Sequence, residues 1–362
     1  MLVALFLIYA LLCVVELLLM LMHWLKFKKV SLLPMEDLPK VTVLVCARNE
    51  EQNLSDCLES LMKSNYPFDQ FEVLVGNDNS EDATVDIIDR FVKKYNQIQS
   101  IFIEDRKEGL IAKANVLSQL IDKSRFEYQV IIDADMIVTK DWLRYMVSAL
   151  AEGNDMVSGY TQVQKSNWIA NLQFMDWQSV LFTMKVMADV VRPISILGNN
   201  MAFKKKSYDQ VGGFRGLGPT DVEDLGLLQR FQKSGLTTIQ LLAPYGHAAT
   251  KPQLTFDELL TQRCRWMNGV FTHHFILGIP SLFARLWVVF AFVVLWFDTD
   301  LALFITFYGF VTNWMKSRIV TRRTRSHNSI FLIEPIFISL LDTLAFLRLI
   351  FAGKVSWKGR KH

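Results

Sequence analysis

Asp133 and Asp135 stand one residue apart at the end of an apolar run, VIIDADMIV (130–138). Two carboxylates that close repel each other unless something positive lies between them. A hard divalent cation would fill that role. Mg²⁺ or Mn²⁺ takes oxygen ligands, commonly one or two carboxylates together with substrate phosphates. The plainer reading is a pair of turn caps after a strand. GPTDVEDLGLLQRF (218–231) poses a similar choice, with Asp221, Glu223 and Asp224 at the start of a helical pattern. Acids there oppose the helix dipole, and a general base at a loop–helix junction is the sharper alternative. Asp78 in GNDNSEDAT is either a contact to a base or ribose or the first residue of an Asx-turn. Lys113 is either a point charge for a phosphate or a solvated helical lysine. Gln262 and Arg265 in LTQRCRWMNG (260–269) share a helix face at i, i+3. Arg265 could hold a diphosphate bidentately; with Trp266 it could equally be an interfacial anchor.

An α/β frame must carry these residues. VTVLVCA (41–47), FEVLVGND (71–78), SIFIED (100–105) and YQVIIDAD (128–135) read as strands. Helical patterns follow the first three, from Leu54, from about Ala83 and over 110–122. Strand–helix alternation at this spacing predicts parallel crossovers in one sheet covered on both faces. Ligands of such sheets bind outside the carboxyl ends of the strands. The ends here deliver Arg48-Asn49-Glu50, Asp78, Glu104-Asp105 and Asp133/Asp135 to one rim. At strand period Asp133 and Asp135 point the same way. The phosphate cradles G-x-G-x-x-G and G-x-x-x-x-G-K-[ST] are absent from the sequence.

The 362 residues exceed one compact core. Hydrophobic residues make up 51%, concentrated at the two ends. Leu2 to Leu25 is long enough to span a bilayer. Basic residues follow it (Lys26, Lys28, Lys29) rather than precede it, which predicts an uncleaved anchor with the next domain on the cytoplasmic side. Phe275–Phe297 and Leu301–Met315 read as a membrane hairpin, followed by a basic loop (316–325) and another apolar segment (329–353). A net charge of +3 gives no support to a nucleic-acid partner. Four cysteines, Cys13, Cys46, Cys57 and Cys264, share no metal-ligand spacing and read as reduced thiols.

With the motifs in this order, the chain resembles glycosyltransferase family 2, in its membrane-bound, inverting branch. VTVLVCARNEEQNL is similar to that family's opening nucleotide-binding strand, which implies donor contacts from Ala47, Arg48 and Glu50. GNDNSEDAT resembles the second strand end, with Asp78 at the uracil position. GLIAKANVL implies Lys113 near the diphosphate. The D-x-D implies a donor role for Asp133 and a metal role for Asp135 with Asp133. GNNMAFKKKSYDQVGGF (198–214) resembles the acceptor-side segment, implying Gly198, Asn199 and Asn200 there. VED implies Asp224 as catalytic base beside Glu223, and QRCRW implies donor contacts from Gln262, Arg265 and Trp266. Some positions depart from the pattern: Asn77-Asp78 replaces a double acid, and Val222 a frequent Thr.

The resemblance implies a GT-A nucleotide-diphospho-sugar transferase fold, a mostly parallel sheet with helices on both faces, flanked by transmembrane helices. The expected domains are an anchor (1–29), a cytosolic catalytic domain (30–275) and a membrane region of two to four helices with a basic tail (276–362). The expected activity is inverting transfer from a nucleotide-sugar, a UDP-sugar foremost, to a membrane-proximal lipid, with Mg²⁺ or Mn²⁺ as cofactor. A processive polysaccharide synthase and a catalytically inactive nucleotide-sugar-binding scaffold are the alternatives. The expected location is a bacterial inner membrane, with the catalytic domain in the cytoplasm. Sugar, acceptor and oligomeric state are left open.

Overall fold

The structure is a computed structural model. It describes residues 2–27, 29–104, 109–218, 220, 222–243, 246–273, 285–325, 332–352, 356–357 and 360–361. The chain forms two compact units. One comprises Lys26–Gln162 and Thr183–Lys251, the other Met1–Leu25, Val163–Phe182 and Pro252–His362. The expected catalytic span 30–275 therefore includes two stretches, 163–182 and 252–275, that group with the second unit.

The first unit is built on β1 (Val41–Ala47), β2 (Phe71–Asn77), β3 (Ile98–Phe102), β4 (Tyr128–Asp133), β5 (Met136–Val138), β6 (Met156–Ser158), β7 (Tyr160–Val163), β8 (Asn200–Lys204), β9 (Thr238–Gln240) and β10 (His247–Thr250). Seven of these form one sheet in the order β3-β2-β1-β4-β8-β6-β9. β8 runs antiparallel to both of its neighbours, and the remaining pairings are parallel. β5, β10 and β7 form a small second sheet.

Alternation along β1 explains the layering. Val43 and Val45 join a core with Leu58, Ile88, Trp142 and Met146. Leu44 faces the other way, into a core with Leu74, Leu117, Phe203 and Phe231. The first core is covered by α2 (Leu54–Met62), α3 (Thr84–Lys94) and α5 (Trp142–Ala151). The second is covered by α4 (Ala112–Lys123), α7 (Lys205–Gln210) and α8 (Glu223–Lys233). A sheet buried on both faces needs near-continuous apolar strands, which is what VTVLVCA and YQVIID supply.

Register aligns the strand ends. Ala47 pairs with Asn77, and Cys46 with Asp133. Because β1 is flanked by β2 on one side and β4 on the other, the sheet has a topological switch point at the carboxyl ends of β1 and β4.

Three expectations are corrected. β4 ends at Asp133, and Ala134-Asp135 form a turn before β5 rather than continuing the strand. β5 leaves for the second sheet, where it pairs with β10, so the backbone must bend between the two carboxylates. β3 ends at Phe102, short of Glu104; Asp105 lies outside the described residues, as does Asp221. The basic stretch 316–325 is not a loop, as explained below.

The second unit holds α1 (Leu2–Lys26), α9 (Phe256–His273), α10 (Trp287–Val294), α11 (Thr299–Thr324) and α12 (Glu334–Ala352). It also takes the first part of α6 (Trp168–Val190). Among the described residues, Leu7–Lys26 is long and apolar enough to cross a membrane. Residues 274–284 of the expected hairpin lie outside the described residues. α11 is capped by Asp298, which accepts from Leu301 N–H, and it continues through Lys316, Arg318, Arg322 and Arg323. Lys and Arg are good helix formers, and at a helix C-terminus they oppose the dipole. That is why the basic segment extends the helix until Arg325 turns left-handed at φ 52°. Three helices thus lie in the described part of 276–362, followed by a short antiparallel pair, β11 (Ser356–Trp357) and β12 (Arg360–Lys361).

Candidate active site

The site is best built from Asp224. Glu223 and Asp224 form the first turn of α8. Leu225 N–H donates to one Asp224 oxygen at 2.7 Å, and Gly198 N–H donates to the other at 2.9 Å. A carboxylate held through both oxygens has one orientation and still keeps lone pairs to accept a proton. Gly198 sits so close that an added Cβ would lie 2.6 Å from Asp224 Oδ2. The glycine is therefore required by a close approach. It lies in the loop just before β8, where the antiparallel strand brings residues 198–200 back to the rim.

Burial pushes the carboxyls of this pair up. Glu223 rises to about 7, through burial first and the neighbouring Asp224 charge second. Asp224 is also raised by burial, against the opposing pull of Leu225 N–H, Lys113 and Gly198 N–H. Two adjacent acids whose carboxyls are raised by burial suit general acid–base work.

Lys113, in the first turn of α4, completes the arrangement. Its ammonium pairs with Asp133 and donates to Gly198 O at 2.8 Å. Burial alone would lower its pKa, but Asp133 and Glu223 more than offset that and raise it. One lysine thus joins the end of β4 to the loop that clasps Asp224. Asp133 N–H also donates to Asn199 O, at 3.3 Å.

Asp133, Asp135 and Ile137 are half-exposed, while Ala134, Met136 and Val138 are buried. Alternation therefore survives the turn, and both carboxylates reach the rim. Asp133 is engaged by Lys113. Asn199 Oδ1 is buried without a hydrogen-bond partner, while its amide nitrogen lies 3.8 Å from Met136 Sδ. The donors are hard oxygens, which suits Mg²⁺ or Mn²⁺. Among the described residues no three His, Cys, Asp or Glu side chains converge on one metal position. A cation here would complete its shell from substrate phosphates and water.

The loops after β1 and β2 are knitted into one wall. Asp78 N–H donates to Ala47 O at 2.9 Å, and Arg48 Nη1 lies 3.5 Å from Asp78 Oδ2. Asn49, at φ 53°, accepts from Glu81 N–H through its side chain at 2.9 Å. Glu50 N–H donates to Thr84 Oγ1 at 2.8 Å, and Asn53 donates to the Glu50 carboxylate at 2.8 Å. Ala47 is buried and offers its carbonyl to this wall. Glu50 is nearly buried, and its hydrogen bonds hold the wall in shape.

Asn200 is placed differently from its two neighbours. Its side chain is fully buried. The carbonyl accepts from Trp142 Nε1 at 3.0 Å, and the amide donates to Tyr160 O and Thr161 Oγ1, both at 3.1 Å. It ties β8 to α5 and β7. Gln262, Arg265 and Trp266 lie half-exposed on α9 of the helical unit. Of two further rim residues, the sequence reading took Cys46 as a reduced thiol and missed Thr84. Cys46, at the end of β1, lies in the field of Lys113, Asp133, Glu223 and Asp78, and burial raises its thiol. Thr84 anchors the β1 loop; its place after a run of turn residues is the one signal for it.

A family model, Glycosyl transferase family 21, matches residues 5–362. A probable glycosyltransferase, YdaM of Bacillus subtilis (strain 168), is 27% identical over 247 residues, covering 65% of this chain and 56% of its own length. The beta-monoglucosyldiacylglycerol synthase of Trichormus variabilis is 27% identical over 241 residues, covering 64% and 49%. The poly-beta-1,6-N-acetyl-D-glucosamine synthase of Staphylococcus aureus (strain COL) is 26% identical over 249 residues, covering 65% and 55%. The chain spans about half the length of these curated relatives. Among solved structures, a mannosyltransferase from Pyrobaculum calidifontis in complex with GDP-Man and Mn²⁺ superposes with TM-score 0.56 at 18% identity, covering 94% of this chain and 99% of that one. That likeness shows an α/β glycosyltransferase fold with a mostly parallel mixed sheet. The motifs pointed to family 2; the family shown is glycosyl transferase family 21, to which the chain belongs.

Proposed function

From that membership we propose a membrane-bound, inverting glycosyltransferase that moves one sugar from a UDP-sugar to the hydroxyl of a membrane-proximal lipid. The observation that carries the reading is the clasp on Asp224. A carboxylate with a raised pKa, oriented by two backbone N–H groups at a strand-end rim, is fitted to remove a proton from an acceptor hydroxyl. The freed oxygen then displaces the nucleoside diphosphate from the opposite face of the anomeric carbon. A single displacement inverts that carbon, in the logic of single-displacement sugar chemistry.

The rim walls fit the remaining tasks. Arg48 and Asp78 offer a donor and acceptors to a base or ribose. Lys113 carries a positive charge for the leaving diphosphate and holds Gly198, and through it Asp224. Gln262, Arg265 and Trp266 are assigned to the donor diphosphate by their motif. Gly198 and Asn199 are assigned to the acceptor side, with Asn200 as their internal support. Mg²⁺ or Mn²⁺ on Asp135, with Asp133 nearby, would neutralise charge developing on the diphosphate.

The helix Leu7–Lys26, followed by basic residues, supports an anchor with the catalytic unit on the cytoplasmic side of a bacterial inner membrane. The diacylglycerol-glycosylating relative supports a lipid acceptor. A polysaccharide synthase is the second reading, because the relative from S. aureus is named as one.

Asp224→Asn keeps the shape and removes the base. Full-length protein in native lipid should bind UDP-sugar with unchanged affinity and lose transfer by at least about 10²-fold. Mass spectrometry of the lipid extract reads the product. Transfer by Asp224→Asn at the wild-type rate would sink the base assignment, and a growing polymer on unchanged lipids would move the protein to the synthases.

A further inference from the structure

Four charged side chains of the helical unit close on one another. Arg263 on α9 pairs with Asp176 on α6, and its Nε lies 3.3 Å from Asp342 Oδ1 on α12. Arg285 lies 2.6 Å from Asp176 and 2.5 Å from Asp342. The charges alternate in sign around a neutral ring. Asp176, Asp342 and Arg263 are buried, and Ser339 Oγ donates to Arg285 O at 2.5 Å.

Such a ring is a poor device for stability alone. Apolar residues of similar volume hold helices together as well or better, because ions lose hydration on burial. What a ring of guanidinium forks does supply is a fixed rotation. Each fork meets two carboxylates in a narrow range of geometry.

α9 is the helix this geometry grips at the motif itself. Arg263 stands between Gln262 and the pair Arg265-Trp266. Leu259, Arg263, Cys264 and Met267 are buried, which leaves Gln262, Arg265 and Trp266 half-exposed. Trp266 is fixed too: Trp177 meets it edge-on with centroids 5.0 Å apart, and the Arg263 guanidinium lies 5.2 Å from its ring. Asp176 and Trp177 are consecutive, so one turn of α6 holds both Arg263 and Trp266.

We propose that the ring of Asp176, Arg263, Arg285 and Asp342 is the positioning device of α9. It sets the rotation at which Gln262, Arg265 and Trp266 present themselves to the donor diphosphate. The inference rests on the donor role proposed above for those three residues. Asp176, Arg285 and Asp342 are positioning residues, acting through α9.

The test uses full-length protein in lipid nanodiscs, with donor and acceptor kinetics and thermal unfolding measured together. The double variant Arg285→Gln with Asp342→Asn removes one charge of each sign and keeps the ring neutral. Arg263→Lys keeps the charge and removes the fork. Both are expected to unfold like the wild type and to raise the donor KM about tenfold. The acceptor KM and kcat should be unchanged. A lowered unfolding temperature with an unchanged donor KM would make the ring a stability element and overturn the proposal, as would no change in either. Arg265→Ala distinguishes the two ways of failing. If it leaves the donor KM unchanged, the donor role of α9 is itself wrong and the ring has nothing to position. If it raises the donor KM while the ring variants do not, the ring inference alone is lost.

Discussion

Substituting Gly198 by Ala tests the clasp by the smallest possible change. The residue has no positive φ, so alanine brings no backbone strain. Its Cβ would meet Asp224 Oδ2 at 2.6 Å and the Asp224 Cβ and Cγ at 3.0 Å. Ordinary carbon contacts begin near about 3.5 Å, so the carboxylate must retreat by roughly 1 Å. The bond from Gly198 N–H to Asp224, now 2.9 Å, would then open beyond hydrogen-bonding range. Losing a hydrogen bond to a charged group is worth about 1.5–3 kcal/mol. Converted to rate, that is about 10- to 100-fold, and displacement of a reacting group by about 1 Å costs on the order of 100-fold. The expectation is therefore a fall in kcat of about 100-fold with donor binding unchanged. The assay is UDP release with an excess of lipid acceptor, alongside donor titration and thermal unfolding. Gly269→Ala is the control, because a Cβ there meets nothing within 4 Å. Wild-type kcat in a folded Gly198→Ala protein would refute the reasoning, since the base would not depend on that contact.

The acid pair should set the pH dependence. Burial raises Glu223 to about 7 and raises Asp224 as well, so kcat/KM should climb with pH above the ordinary carboxylate range, and a flat profile would exclude them. Stability should move the other way. The folded pKa of Glu223 exceeds its ordinary 4.5, so its contribution is complete below 4.5 and is lost as pH rises through about 7; Glu223→Gln should flatten that part of the unfolding curve. Asp135→Ala should make donor binding insensitive to EDTA, whereas Lys113→Met should weaken donor binding and keep EDTA sensitivity; the reverse pattern would exchange their assigned roles. Asn200→Ala removes the partners of Trp142, Tyr160 and Thr161 and should destabilise the catalytic unit by about 2–4 kcal/mol in denaturant melts. If activity falls without loss of stability, Asn200 touches substrate.

Much of the catalytic unit was legible before folding. Strands buried on both faces must be apolar throughout, so β1, β2 and β4 announced themselves within a residue or two. Their polar ends followed, because a parallel sheet sends every strand to the same rim. The break after Asp133 was not legible. DADMIV has strand composition on both sides of the turn, and nothing local says that β5 pairs with β10, over a hundred residues away. The helical run through 316–325 was misread because clustered charge resembles a loop, although Lys and Arg are good helix formers.

What the sequence by itself determined is the chemistry on offer: Asp133, Asp135, Glu223 and Asp224, a lysine, and an α/β frame to carry them. The tertiary structure decided how that chemistry is used. It buried the Asn200 side chain and left Asn199 at the rim. It gave Asp133 to Lys113, and it pressed Gly198 against Asp224 until no side chain fits between them. It also drew Asp176, Arg263, Arg285 and Asp342 into one ring. The reason is the same each time. A residue's type sets which interactions it can make, but pairing across 26 residues for Gly198 and Asp224, or 109 for Asp176 and Arg285, depends on where the packed elements place the chain.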